Sequence, residues 1–110
     1  MKSHTLKQNK EFRRLYYRGK SDAASCLVTY IMKNRLDGTR IGITCGKKVG
    51  NAVKRNRARR VIRAAFNHCE DRLNGSYDIV FVARTRTAEV KMQQVLRQME
   101  EQLRKLGAID

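Results

Sequence analysis

Between Lys47 and Arg63 the chain carries eight Lys and Arg side chains and no acid. Lys47, Lys48, Lys54, Arg55, Arg57, Arg59, Arg60 and Arg63 supply the charge, and Asn56 adds an amide among them. Guanidinium groups are planar forks of donors that match phosphate oxygens two at a time, so the chemistry on offer is polyanion binding. Gly46 and Gly50 let the backbone approach a phosphate just ahead of a helix N-terminus. A second set is aromatic. Phe12, Tyr16 and Tyr17 interleave with Arg13, Arg14 and Arg18, and Tyr30 follows on a later segment. Rings beside cations stack on unpaired bases, typically at about 1–3 kcal/mol per base. The competing reading of Phe12 and Tyr16, four residues apart, is that they dock a short helix onto a core.

Side chains suited to catalysis are sparse. His4 and His68 are the two histidines, and neither has the Cys/His spacing of a metal site. His68 and Cys69 adjoin on a helix and point about 100° apart, so they cannot form a nucleophile and base pair. Asp22, Asp37, Glu70, Asp71 and Asp78 are scattered over turns and element ends, and no carboxylate pair suggests a two-metal nuclease. Lys47 to Gly50 lacks the spacing of a nucleotide-binding loop. No catalytic residue, protein-bound metal or cofactor is expected.

Over all 110 residues there are 25 Lys and Arg against 10 Asp and Glu, a net charge of +15. The whole excess lies in the first 63 residues, and the C-terminal 47 carry seven of each sign. A merely solvated helix mixes signs to form i,i+4 pairs; 47 to 63 has no acid to pair with, which favours nucleic acid over an acidic membrane surface or simple solubility. No apolar run reaches the roughly 18 residues of a membrane span, and the N-terminal residues lack the apolar core of a secretory signal. Three cysteines, at 26, 45 and 69, make no disulfide framework and read as small buried hydrophobes in a cytoplasmic, reducing setting.

The elements that must position these residues follow from periodicity. Residues 9 to 18 form a short helix capped by Asn9 and stopped by Gly19. Cys26 to Met32 is a strand with Leu27, Thr29 and Ile31 on one face and Val28, Tyr30 and Met32 on the other. A turn at 36 to 39 leads to a second strand, Arg40 to Cys45, and the two are expected to pair as an antiparallel hairpin. Asn51 to Leu73 is an amphipathic helix with Ala58, Ile62, Ala65, Phe66, Cys69 and Leu73 inward and the arginines outward. Arg55 falls beside the apolar stripe; either it snorkels or the first turn is irregular. Tyr77 to Ala83 is apolar enough for a strand covered on both faces. Thr87 caps a last helix with a stripe of Met92, Val95, Leu96, Met99, Leu103 and Leu106. The expectation is a single α+β domain, one mixed sheet of about four strands with helices packed on it, in the order α-β-β-β-α-β-α.

Residues 47 to 66, KKVGNAVKRNRARRVIRAAF, resemble the most distinctive stretch of the protein subunit of bacterial ribonuclease P. The likeness continues through Leu6-Lys7, Phe12, Tyr16 and Gly19, through Arg40 to Ile43, and through Asp78 to Arg84. It implies a protein that binds a large catalytic RNA, one to one, and helps it cut the 5′ leader from precursor tRNA, with magnesium ions on the RNA performing the chemistry. By the same resemblance Lys47, Lys48, Lys54, Arg55, Asn56, Arg57, Arg59, Arg60 and Arg63 contact the RNA subunit. Phe12, Tyr16 and Tyr30 line a cleft for the single-stranded leader. The implied fold is like the second domain of ribosomal protein S5, with a left-handed strand-helix-strand crossover; the general rule would make it right-handed. Gly46, Ala64 and Asn67 depart from the family pattern and remove side-chain donors near that surface. Two other readings remain: a ribosomal-type structural RNA binder, and a DNA binder that uses 51 to 73 as a recognition helix. The latter ranks low, because arginines on phosphates read few base edges.

Overall fold

The computed structural model describes residues 4–110; Lys2, one of the N-terminal cations, lies outside them. Its axis is strand β5, Tyr77–Ala83, in which every residue but Val82 is buried. β1 (His4–Thr5), β2 (Lys20–Ala23), β3 (Leu27–Lys33) and β4 (Arg40–Thr44) complete a five-stranded sheet in the order β1-β4-β5-β3-β2. β4 runs parallel to β5 and to β1, whereas β3 runs antiparallel to β5 and to β2. The sheet is therefore mixed, as expected, with five strands instead of about four.

The expected hairpin between residues 26 to 32 and 40 to 45 does not form. Ile79 of β5 is the register partner of both Ile31 and Ile41, so β5 separates the two strands. The link between them is built to arch over the start of β5. Asn34 donates from Nδ2 to Asp78 Oδ1 at 2.8 Å, the Gly38 N–H donates to Ser76 Oγ at 3.1 Å, and the Tyr77 N–H donates to Thr39 Oγ1 at 3.2 Å. A strand apolar on both faces gains most from the central position, and it outcompetes the shorter-range pairing.

Three helices cover both faces. α2 (Ala52–Cys69) and α3 (Met92–Lys105) pack on the side bearing Leu27, Ile31, Ile41, Ile79 and Phe81, where Phe66 and Phe81 meet with ring centroids 5.6 Å apart. Buried Gln102 of α3 accepts from the Thr29 hydroxyl at 2.6 Å and donates to the carbonyls of Asp22 and Leu27, both at 2.9 Å, so this apolar layer holds a satisfied polar tie. α1 (Asn9–Arg18) lies on the opposite face, with Leu15 against Leu6 and Val80. Three boundaries differ from expectation. Gln8, not Asn9, is the cap of α1, its N–H bonded to the Glu11 carboxylate at 3.0 Å. α2 ends at Cys69, and Glu70–Arg72 continues as one 3-10 turn. Thr87 does not start α3 but sits buried in a 3-10 turn, Thr85–Ala88, accepting from the Arg84 N–H at 2.8 Å and donating to the Cys26 carbonyl. No helix among the described residues is long and apolar enough to cross a membrane.

Candidate nucleic-acid interface

The basic segment begins where β4 ends. A 3-10 turn, Lys47–Val49, buries Val49 and leaves both lysines exposed. Gly50 follows with φ +138°, a conformation that side chains rarely adopt, and so sets the angle at which the chain enters α2. Asn51 caps α2 by accepting from the Lys54 N–H at 3.0 Å. Ala58, Val61, Ile62, Ala65, Phe66 and Cys69 are buried, and Lys54, Asn56, Arg57, Arg59, Arg60 and Arg63 are exposed. One face of the helix thus builds the core while the other presents donors.

The arginines are not equivalent. Arg59 leans on the Asn56 side chain at 3.3 Å. Arg57 turns back onto the protein, donating from Nε to the Ala88 carbonyl at 3.0 Å and from Nη2 to the Val90 carbonyl at 3.2 Å. Arg55 is half-buried on a helix that is regular from Ala52, which agrees with snorkelling along the apolar stripe; its Nε is buried without a hydrogen-bond partner among the described residues.

The aromatic set lies on the α1 side of the sheet. Phe12 packs against Gly42, where an added Cβ would come within 2.6 Å of the ring. Tyr16 meets Tyr30 of β3 edge to face, with ring centroids 4.9 Å apart. Asn9, Phe12, Arg13, Tyr16 and Thr44 line an open groove of about 540 Å3. Tyr16 remains 42% exposed. Docking of the helix therefore falls to Leu15 and part of Phe12, and the tyrosine ring is left at a wet edge. Thr44 of the groove is separated from Lys47 by two residues, so groove and basic segment adjoin along the chain.

At the other end of the same face Arg40 bridges two acids. It donates to both carboxylate oxygens of Asp78, at 2.9 and 2.7 Å, and pairs with Glu11 of α1. The neighbouring Asp78, first, and Glu11 raise the pKa of Arg40. The Glu11 carboxyl is held below its ordinary range, chiefly by the Gln8 N–H, with Lys7 and Arg40 adding. Sequence reading missed this bridge; the signal was Arg40 two residues before Gly42 in the outward register of β4. Among the described residues no cluster of three His, Cys, Asp or Glu could hold a metal ion.

The family model for ribonuclease P matches residues 1–107. The chain belongs to the bacterial ribonuclease P protein family. It is a subunit of the ribonuclease P endoribonuclease, an enzyme of tRNA processing. The ribonuclease P protein component of Clostridioides difficile is 42% identical over 91 residues, 82% of this chain and 80% of the relative. That of Alkaliphilus metalliredigens is 36% identical over 97% of this chain and 96% of its own. In structure, the chain is similar to the RNase P protein of Staphylococcus aureus, with a TM-score of 0.86 and 32% identity over 99% of this chain and 100% of that one. The RNase P protein from Thermotoga maritima gives a TM-score of 0.78 at 28% identity, over 96% of this chain and 99% of that one. The ribonuclease P protein fold thus holds the cation-bearing α2 and the aromatic groove on one sheet, β4 linking them.

Proposed function

We propose that this subunit binds the ribonuclease P RNA through the exposed face of α2 and holds the single-stranded 5′ leader of precursor tRNA in the groove beside Phe12, Tyr16 and Tyr30. The observation that carries the reading is the end of β4, where Thr44 lines the aromatic groove and a segment of eight cations without an acid begins three residues further along the chain. Lys47, Lys48, Lys54, Asn56, Arg59, Arg60 and Arg63 offer exposed donors to phosphates, with Arg55 beside them and Arg57 contributing only what its carbonyl contacts leave free. Stacking on Tyr16 favours an unpaired leader over the folded body of tRNA. The left-handed sense of the β4–α2–β5 crossover belongs to the same reading, supported by the close superposition on the Staphylococcus aureus protein. So does a cytoplasmic, one-to-one complex with the RNA.

Magnesium ions on the RNA supply the hydrolytic chemistry in this reading. The described donor set does not fit a resident ion: no acid lines the Phe12–Tyr16 groove, no three His, Cys, Asp or Glu among the described residues gather to hold a metal, and Glu11 and Asp78 are tied to Arg40. What the protein contributes is positive charge that screens RNA from RNA, and a surface that prefers leader-bearing substrate. The test is reconstituted cleavage of a precursor tRNA with and without the protein across a magnesium series, alongside binding of precursor and mature tRNA. The protein should lower the magnesium requirement and favour the precursor. Unchanged magnesium dependence, with equal affinity for precursor and mature tRNA, would leave only a structural RNA binder.

A further inference from the structure

α1 is a ridge with a groove on each side, and the proposed leader site uses only one of them. On the opposite flank, between α1 and the link joining β3 to β4, lies a larger open groove of about 1290 Å3. Lys10, Arg13, Arg14, Arg18, Lys33 and Arg35 stand around it, all exposed, and none of these side chains is paired with another described residue. The acids in its lining are Glu11 and Asp78, both bound to Arg40 in the floor, a cluster that keeps one net negative charge. Six like charges in one groove repel each other with only that one negative charge in the lining to offset them, and a strand of phosphates relieves that repulsion. Tyr17 stands on the wall, 89% exposed, and Leu36 on the rim, 51% exposed; neither contributes to the core. The link that carries Arg35 and Leu36 is fixed from beneath, because Asn34 accepts from the Leu36 N–H at 3.0 Å while bonded to Asp78.

We infer that this second groove binds a further single-stranded segment of RNA, with phosphates on Arg14, Arg18, Lys33 and Arg35 and a base stacked on Tyr17. A free aromatic ring among guanidinium groups selects an unpaired strand, because a duplex keeps its base faces covered. The site shares only Arg13 with the Phe12–Tyr16 groove, and the residues assigned to it, Arg14, Tyr17, Arg18, Lys33 and Arg35, line the second groove and not the first.

The probe is a 4-thiouridine-bearing oligouridylate of about ten nucleotides, within the range that one such surface accommodates. It is photo-crosslinked to the full chain, and the sites are resolved by mass spectrometry. Crosslinks are expected at Tyr17 or within 34 to 36, in addition to any on Phe12, Tyr16 and α2. In parallel, anisotropy titrations against salt compare R14A/R18A/R35A with a charge-matched control on the balanced half, R86A/K91A/R97A. Removing three phosphate contacts should make the log–log salt slope shallower by about 2, with little change in the control. Crosslinks confined to the Phe12–Tyr16 groove and α2, or equal slopes for the two triple variants, would overturn the inference. Failure of the leader reading would appear instead as loss of crosslinks at Phe12 and Tyr16 with those at Tyr17 retained.

Discussion

Arg40 of β4 grips Asp78 of β5 through two nearly parallel hydrogen bonds, Nε to Oδ1 at 2.9 Å and Nη2 to Oδ2 at 2.7 Å, and the two residues are direct register partners. Its remaining arm reaches Glu11, so one guanidinium fastens α1 to the middle of the sheet. Arg40→Ala strands the Asp78 carboxylate, only 8% exposed, and should cost about 3 kcal/mol in urea denaturation. Arg40→Lys restores little, since an ammonium cannot make the paired contact.

The same bridge has an acid signature. The Glu11 carboxyl titrates below 4.5, first because the Gln8 N–H donates to it. A depressed folded pKa gives stabilisation that is complete above the unfolded value and is lost as pH falls through the folded one. Wild type should therefore lose more stability than Glu11→Gln between pH 6 and roughly pH 3. Equal losses, measured by denaturant titration at the two pH values, would contradict the assignment.

Gly42 is where α1 comes closest to β4. A methyl group there meets the Phe12 ring at 2.6 Å, so Gly42→Ala should cost about 1–3 kcal/mol and shift Phe12 in the groove. The penalty should shrink in a Phe12→Leu background, and a double-mutant cycle reads the coupling directly.

Arg57 and Arg60 predict different losses. Arg57→Ala removes the donors to Ala88 and Val90 and should cost about 1–2 kcal/mol of stability. Arg60 is exposed on the outer face, so Arg60→Ala should leave stability unchanged and reduce the salt slope of RNA-subunit binding by nearly one. For the wild type, about six neutralised phosphates give a slope near −4 to −5. Denaturation curves and salt titrations on both variants separate the two roles.

Cys69, the last residue of α2, is buried on the helix's inward face, and burial pushes its thiol up to about 11. It should resist alkylation at pH 8 in the folded protein, whereas half-buried Cys45 reacts first. Because the folded pKa is raised, stability holds below the ordinary thiol value of 9 and declines as pH rises from there toward 11. Cys69→Ala should flatten that alkaline decline, as followed by denaturation midpoint against pH.

Much of this was legible in periodicity. The inward stripe of α2 and the alternation of β3 are local properties, and Ala58, Ile62, Leu27, Thr29 and Ile31 are buried as their spacing requires. Strand pairing was not local: the hairpin expected from the proximity of residues 26 to 32 and 40 to 45 gave way to β5, which lies more than thirty residues further along. The short β1, two residues long, has no alternation to detect. On α2, spacing placed Arg57, Arg59, Arg60 and Arg63 on the exposed face but could not tell that Arg57 would be satisfied by carbonyls beyond residue 87. The tyrosines left a similar ambiguity, and the structure divides them: Tyr30 packs against the cluster of Leu15, whereas Tyr16 stays 42% exposed.

The central place of β5 also orders events on the ribosome. While the chain emerges, β3 and β4 have no common neighbour until residues 77 to 83 have been made, and until then the sheet can form only as two separate pairs, β1–β4 and β2–β3. α2 precedes β5 in the chain, so its arginines are already available to a polyanion while its apolar side still waits for a sheet to cover it. Burial of that apolar side therefore waits on the last third of the chain, and the core closes only when β5 and α3 have been made.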